Sequence, residues 1–256
     1  MSNQTQQFYD NLADDYHLIF ANWKKSVRKQ GVTLDKLIKS FGYESSMDLL
    51  DCSCGIGTQA IGLALQGYNV QGTDLSPKSI ARAKKEAKKF GLNMKFQVAD
   101  FRELSQKIKA TFDIVITCDN SLPHLLDYKD LALAVKNIYQ VMNPNSLFIA
   151  SIRDYDATSK DKPTVSQPTL YGDDEERYFS FQEWIWDSKK PIYSLNQFIV
   201  KQEKGKWKTE CREAKYRAIK RAELTKFLKA VGLTNITWHM PEETGYYQPI
   251  VTAKKT

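Results

Sequence analysis

Between residues 47 and 152, short apolar runs alternate with longer stretches whose apolar positions recur every three or four residues. Residues 47–52, 69–74, 94–100, 112–119 and 146–152 show the first pattern and predict five strands. A run such as Phe112-Asp113-Ile114-Val115-Ile116-Thr117 has almost no polar alternation, so the sheet is expected to be covered on both faces. The 3.6-residue period predicts helices over about 57–66, 77–90 and 128–142. Pro77 opens the second of these and Gly91 follows its end, while Asn143-Pro144 stops the third. Strand and helix in alternation imply parallel strands joined by right-handed crossovers.

The pattern changes after residue 152. Residues 153–219 carry Pro163, Pro168 and an acidic run at 173–176, then aromatic residues alternating with polar ones over 177–187 and 193–202. Lys204-Gly205-Lys206 reads as a hairpin turn, and the segment predicts a small antiparallel insertion over the ends of the parallel strands. A helix over about 221–231 and strands at 235–239 and 246–253 return the chain to the main sheet. The expected organisation is a helical arm at 1–45, an α/β core at 46–152, an insertion or lid at 153–219, and a last helix with two strands at 220–256.

A chain of 256 residues fits one α/β domain with such an insertion. No stretch approaches the ~18 apolar residues of a membrane span, and the polar, acidic N-terminus is unlike a signal peptide. A soluble, cytoplasmic protein is expected, with no membrane partner. The net charge is +7, but the lysine clusters around 24–39 and 78–89 lie on amphipathic helical patterns and read as solvated faces. A nucleic acid partner is therefore not expected, and a homo-oligomer stays open. Cys52, Cys54, Cys118 and Cys211 lack zinc spacing, so no metal site is expected.

The candidate chemistry begins after the first strand. Asp51-Cys52-Ser53-Cys54-Gly55-Ile56-Gly57 leads from strand to helix, where glycines let backbone approach a ligand, and Asp74 closes the second strand, where an acid can hold ribose hydroxyls. A dinucleotide site shares both features. Asp100-Phe101 at the third strand end adds a carboxylate and an aromatic face for a base. Together these residues resemble the class I S-adenosylmethionine-dependent methyltransferases, over about residues 9–152. The resemblance implies a Rossmann-like doubly wound seven-stranded sheet of order 3-2-1-4-5-7-6, with strand seven antiparallel. It also implies S-adenosylmethionine as cofactor, S-adenosylhomocysteine as product, and contacts from Asp51, Ser53, Cys54, Gly55, Asp74, Leu75, Asp100, Phe101 and Cys118. Ser53 stands where the family has its first motif glycine. A glycine-poor loop suits a sulfonium better than a pyrophosphate, which prefers several glycine N–H groups.

Cys118-Asp119-Asn120-Ser121-Leu122-Pro123-His124-Leu125 follows the fourth strand, at the switch point where ligands bind in such sheets. The Asn-Ser-x-x-His-Leu pattern, with Tyr9, Arg28 and Arg153, is similar to glycine N-methyltransferases and related glycine/sarcosine enzymes. By this resemblance Arg28 pairs with the cofactor carboxylate and Arg153 with an acceptor carboxylate. Tyr9, Asn120, His124 and Tyr216 would line the acceptor site. Plainer readings stay open: His124 bracing a helix start, Arg153 pairing with Asp154 or Asp156, and Trp184 and Trp186 as a half-buried strand face. Tyr9, Tyr16 and Trp23 could form the apolar face of a docking helix, and the cysteines could be buried, inert thiols. The expected function is methyl transfer to a small-molecule amine such as glycine or sarcosine. An RNA or protein methyltransferase and a non-catalytic S-adenosylmethionine-binding module are the alternatives.

Overall fold

The computed structural model describes residues 3–172 and 177–256; the acidic run at 173–176 lies outside the described residues. An arm of two helices, α1 (Asn3–Leu12) and α2 (Trp23–Ser40), precedes the first strand. Strand and helix then alternate as the periodicity predicts: β1 (Asp48–Asp51), α3 (Thr58–Ala64), β2 (Asn69–Asp74), α4 (Pro77–Lys89), β3 (Lys95–Val98), α5 (Leu104–Lys107), β4 (Phe112–Thr117), α6 (Tyr128–Gln140) and β5 (Met142–Ser151). The insertion holds α7 (Tyr155–Asp161), β6 (Thr169–Tyr171), β7 (Tyr178–Trp186), β8 (Ile192–Glu203) and β9 (Lys206–Arg217). The chain closes with α8 (Arg221–Ala230), β10 (Thr234–His239), α9 (Pro241–Thr244) and β11 (Ile250–Lys255). Among the described residues no helix is long and apolar enough to cross a membrane.

The main sheet runs β3-β2-β1-β4-β5-β11-β10, the order and strand count expected from the sequence. β11 is antiparallel to β5, with Ile250 opposite Ser151. Alternate residues of the central strands enter two cores. Leu50, Val115, Phe148 and Ala150 pack on one side, and Leu49, Ile114, Ile116, Leu147 and Ile149 on the other. This two-sided burial is why the strands read as nearly unbroken apolar runs.

The insertion is a second, antiparallel sheet, β6-β7-β8-β9. Lys204 and Gly205 connect its long hairpin with φ of 50° and 76°, the left-handed pair that matches the twist of the flanking strands. Tyr193, Leu195, Gln197 and Ile199 of β8 are buried in alternation, so one face of this sheet looks inward.

Several elements differ from expectation, among them the short helices α5 and α9, which have no counterpart among the predicted helices. β5 begins at Met142 rather than 146, since Asn145 at φ 59° and a register shift between Phe112 and Ile114 let the strand continue through Asn143-Pro144. Residues 246–249 are not strand; β11 starts at Ile250, after Pro249, which has no N–H to give a ladder. α7 was not foreseen and is capped by Asp154, whose side chain accepts from Ala157 N.

Two contacts position the arm. α2 crosses α3 where Gly31 meets Gly62, so closely that a Cβ on Gly31 would lie 2.2 Å from the Gly62 carbonyl oxygen. The approach sets Gln30 beside Gln59, whose Nε2 donates to Gln30 Oε1 over 2.7 Å. The link between the helices is tied to both sheets' neighbourhoods. Asp15 accepts from Lys201 Nζ (3.1 Å) and Arg212 Nη2 (2.7 Å), while Asp10 accepts from Ser76 Oγ (2.6 Å) and Lys78 N (3.1 Å) at the start of α4.

Candidate active site

The parallel strands deliver acids to one end of the sheet. Asp74 accepts from Gly55 N and Ser76 N, both at 2.8 Å, across a loop in which Gly55 and Gly57 take φ of 53° and 100°. Asp51 is 1% exposed; its Oδ1 accepts from Ser53 N at 3.2 Å, and its buried Oδ2 has no hydrogen-bond partner among the described residues. Burial pushes the Asp51 carboxyl up to about 8, reinforced by Asp74 and Asp119, and pushes Asp74 up to about 6. Asp119 accepts from Tyr246 Oη at 3.0 Å and from Tyr247 Oη, and burial raises it too. Among the described residues no lysine or arginine makes an ion pair with any of these three acids. A ligand that brings positive charge fits this cluster, and a pyrophosphate does not. S-adenosylmethionine carries both a sulfonium and an ammonium.

A small cavity opens over this loop, lined by Ser53, Cys54, Gly55, Asp74, Leu75, Asp100 and Phe101. Asp100 does not stand alone there: Arg102 Nη2 donates to it at 2.7 Å and Arg102 Nη1 reaches Asp130 at 2.8 Å. Tyr9, Tyr16, Asp119 and His124 form the remaining wall.

Beyond Tyr9, Tyr16 and Asp119 lies a chamber of about 850 Å³, bounded by the inner face of β7 and β8, by the arm, and by residues 240–249. Tyr9, Asn120, Arg153 and Tyr216 all line it. Asp119 and Asn120 sit at φ of 58° and 65°, a conformation that Asp and Asn tolerate better than most side chains. Asn120 Oδ1 accepts from Arg153 N and Tyr155 Oη, each at 3.0 Å, and its Nδ2 has no partner among the described residues. Arg153 donates to Tyr193 Oη (3.1 Å) and Gln182 Oε1 (2.8 Å), with its guanidinium 4.6 Å from the Trp184 ring centroid. Asp154 and Asp156 pair with Arg221 instead, leaving Arg153 turned toward the chamber. Trp184 is thus both a strand-face residue and a wall of the site.

His124 ends a short 3-10 turn, Leu122–His124, and shares a 2.7 Å hydrogen bond with Tyr9 Oη through Nε2. Burial pushes its pKa down to about 3, so the ring is neutral at ordinary pH. Its ring lies tilted against Tyr216, centroids 4.0 Å apart, and Tyr216 stacks on Tyr193 at 5.4 Å; burial pushes the Tyr216 hydroxyl up to about 12 and raises that of Tyr9 well above the usual phenol value.

Three expected residues do not line either cavity: Arg28, Cys118 and Asp51, the last buried at the end of β1. Arg28 is exposed on α2, with its guanidinium 5.6 Å over the Phe90 ring, while Lys29 and Gln30 of the same helix line the chamber. The Gly31 crossing fixes the helix rotation, and a step of one residue turns a side chain by about 100°. Cys118 is 2% exposed and lines neither cavity; burial raises the thiols of Cys52, Cys54 and Cys118, which keeps them protonated and unreactive. The sequence reading missed Asp119 as a wall of both cavities, together with Tyr246 and Tyr247, which it assigned to a strand.

Residues 49–145 match the family model described as a methyltransferase domain. The glycine/sarcosine N-methyltransferase of Parasynechococcus marenigrum is 29% identical over 162 residues, 63% of this chain; the matched stretch spans 56% of that relative's length. Among solved structures, DesVI from Streptomyces venezuelae superposes with a TM-score of 0.81 at 18% identity, covering 95% of this chain and 98% of that one. The S-adenosylmethionine-bound amino pentose methyltransferase CalS10 from Micromonospora echinaspora gives a TM-score of 0.73 at 15% identity, covering 90% and 92%.

Proposed function

We propose that the chain is a class I S-adenosylmethionine-dependent methyltransferase and that it methylates the nitrogen of a small-molecule acceptor held in the large chamber, a reading supported by the methyltransferase-domain match and the shared fold. The observation that carries this reading is the junction of the two cavities at Tyr9, Tyr16 and Asp119. When bound, S-adenosylmethionine supplies a methyl group already activated by its sulfonium. Asp74 would hold the ribose hydroxyls, Phe101 would flank the base, and Asp51 and Asp119 would balance the positive charges.

No strong base is needed in this chemistry: the carboxyls that line the chamber, Asp119, Asp154 and Glu242, need not take a proton for a neutral amine to attack. His124 and Tyr9 are neutral, so their shared hydrogen bond fixes the Tyr9 hydroxyl as a positioning group for the acceptor nitrogen. An amine attacks only when neutral. The buried aromatic wall and the nearby Arg153 charge both disfavour an ammonium. Alignment of acceptor and methyl group can contribute on the order of 7 to 11 kcal/mol. Arg153 keeps N–H groups beyond those given to Tyr193 and Gln182, and offers them to an oxygen of the acceptor. In the glycine/sarcosine reading that oxygen belongs to a carboxylate.

The glycine/sarcosine N-methyltransferase relative supports nitrogen as the accepting atom. Mass-spectrometric turnover with S-adenosylmethionine against glycine, sarcosine, dimethylglycine, amino sugars, thiols and bulk RNA tests the reading. A methylated amine is expected; product on RNA alone, or none at all, would sink it. Arg153→Ala is expected to raise the acceptor KM about tenfold or more while cofactor affinity holds, by loss of a charge-assisted bond of roughly 1.5 to 3 kcal/mol.

A further inference from the structure

The chamber is out of proportion to glycine. At about 850 Å³ it lies near the top of the roughly 300–1,000 Å³ range of sites that enclose drug-sized ligands. The wall given by the insertion is also chemically distinct from the acid-lined end. Ser166, Gln167, Thr169 and Ser180 line it with hydroxyls and an amide, and Tyr171 and Trp184 add aromatic faces. Ser180 Oγ accepts from Gln197 Nε2 (3.1 Å) and Ser166 Oγ accepts from Gln182 N (2.8 Å), so each hydroxyl keeps its proton free to donate. Gln167 and Thr169 are exposed, so their polar ends are open to solvent or to a ligand. Neutral groups that both donate and accept suit ligand hydroxyls, which do the same, and ring faces suit the C–H faces between them. A phosphate or a polyanion would call for clustered cations, whereas among the described lining residues the cations are Arg153, with two of its donors already engaged, and Lys29 on the arm.

We infer that the acceptor amine is carried on a polyhydroxylated ring, whose hydroxyls are read by Thr169 and Ser180 on the inner face of the insertion sheet and by Ser166 and Gln167 in the segment that leads into β6. The inference rests on the chamber being the acceptor site. It makes the insertion the specificity element and leaves the acid-lined end to the cofactor.

The test compares two rings of one size: an inosamine, bearing one amine and several hydroxyls, and cyclohexylamine, bearing the amine alone. Each is titrated calorimetrically into the full chain loaded with S-adenosylhomocysteine. The inosamine is expected to bind at least tenfold more tightly. Thr169→Val and Ser180→Ala should each remove roughly three- to tenfold of that advantage without moving the cyclohexylamine affinity, and Thr169→Ser should restore it. Equal affinities, tighter cyclohexylamine, or binding of neither would overturn the inference. Turnover in the same samples reports separately on the proposed function: if no amine is methylated, the methyltransferase reading falls whatever the titrations give.

Discussion

Asp51 is a carboxyl folded into a place where no cation among the described residues balances its charge. Burial holds its pKa up at about 8, whereas in the unfolded chain it ionises near 4. The folded state therefore keeps a proton that the unfolded state has lost, and stability falls as pH rises toward 8, by at most ~1.4 kcal/mol per unit. Asp74, at about 6, acts with the same sign but has finished titrating by neutrality. His124, at about 3, is neutral when folded and acts with the opposite sign, only below its unfolded pKa of ~6.5. Between pH 6.5 and 8 Asp51 dominates this group. Calorimetry on the ligand-free chain should show a lower Tm at pH 8 than at pH 6.5, with the difference largely absent in Asp51→Asn. Such acids were legible in the sequence because Asp51, Asp74 and Asp100 stand where strands end, a place that periodicity locates well. Arg28 was not, because assigning a helix face needs the rotation about its axis, and only the packing at Gly31 supplies that.

Among the elements, the contact of α2 with α3 carries the most positional information for its size. Gly31→Ala gains helix propensity but sets a methyl group against the Gly62 carbonyl, and overpacking of this kind costs roughly 1 to 3 kcal/mol. Thermal denaturation should register a net loss, and the Gln30–Gln59 bond should loosen with it. The strands at the centre of the main sheet were readable because both faces are buried. The segment at 246–249 was misread for a related reason. Tyr246 is 2% exposed and Tyr247 is 55% exposed, an alternation that imitates a half-buried strand, but both hydroxyls turn to Asp119. α7 escaped because seven residues with no apolar stripe leave no periodic signal.

At the scale of the whole molecule, the arm and the insertion close over the sheet through a few charged contacts. Asp15 joins them by pairing with Lys201 and Arg212, and these hydrogen bonds hold its carboxyl below the usual range against the effect of burial. Asp15→Asn leaves two partly buried cations short of a counter-charge. Hydrogen exchange in α1 is expected to quicken and the acceptor KM to rise, while the main-sheet amides keep their protection; unchanged exchange in α1 would show that the arm is held by its apolar face alone. A covering insertion and a docking arm were legible in the sequence, but the charged pairing that joins them was not, since Asp15 and Arg212 are nearly two hundred positions apart.

Tyr9 and Tyr16 wall both cavities at once, and they belong to the segment that Asp15 fastens. A molecule in the small cavity is thus enclosed by the side chains that its reaction partner has to touch. If S-adenosylmethionine occupies the small cavity as proposed, the shared walls predict an order of binding: cofactor first and S-adenosylhomocysteine last, with the acceptor coming and going in between. Steady-state inhibition by S-adenosylhomocysteine should therefore be competitive against S-adenosylmethionine at every acceptor concentration, and inhibition by the methylated acceptor should not.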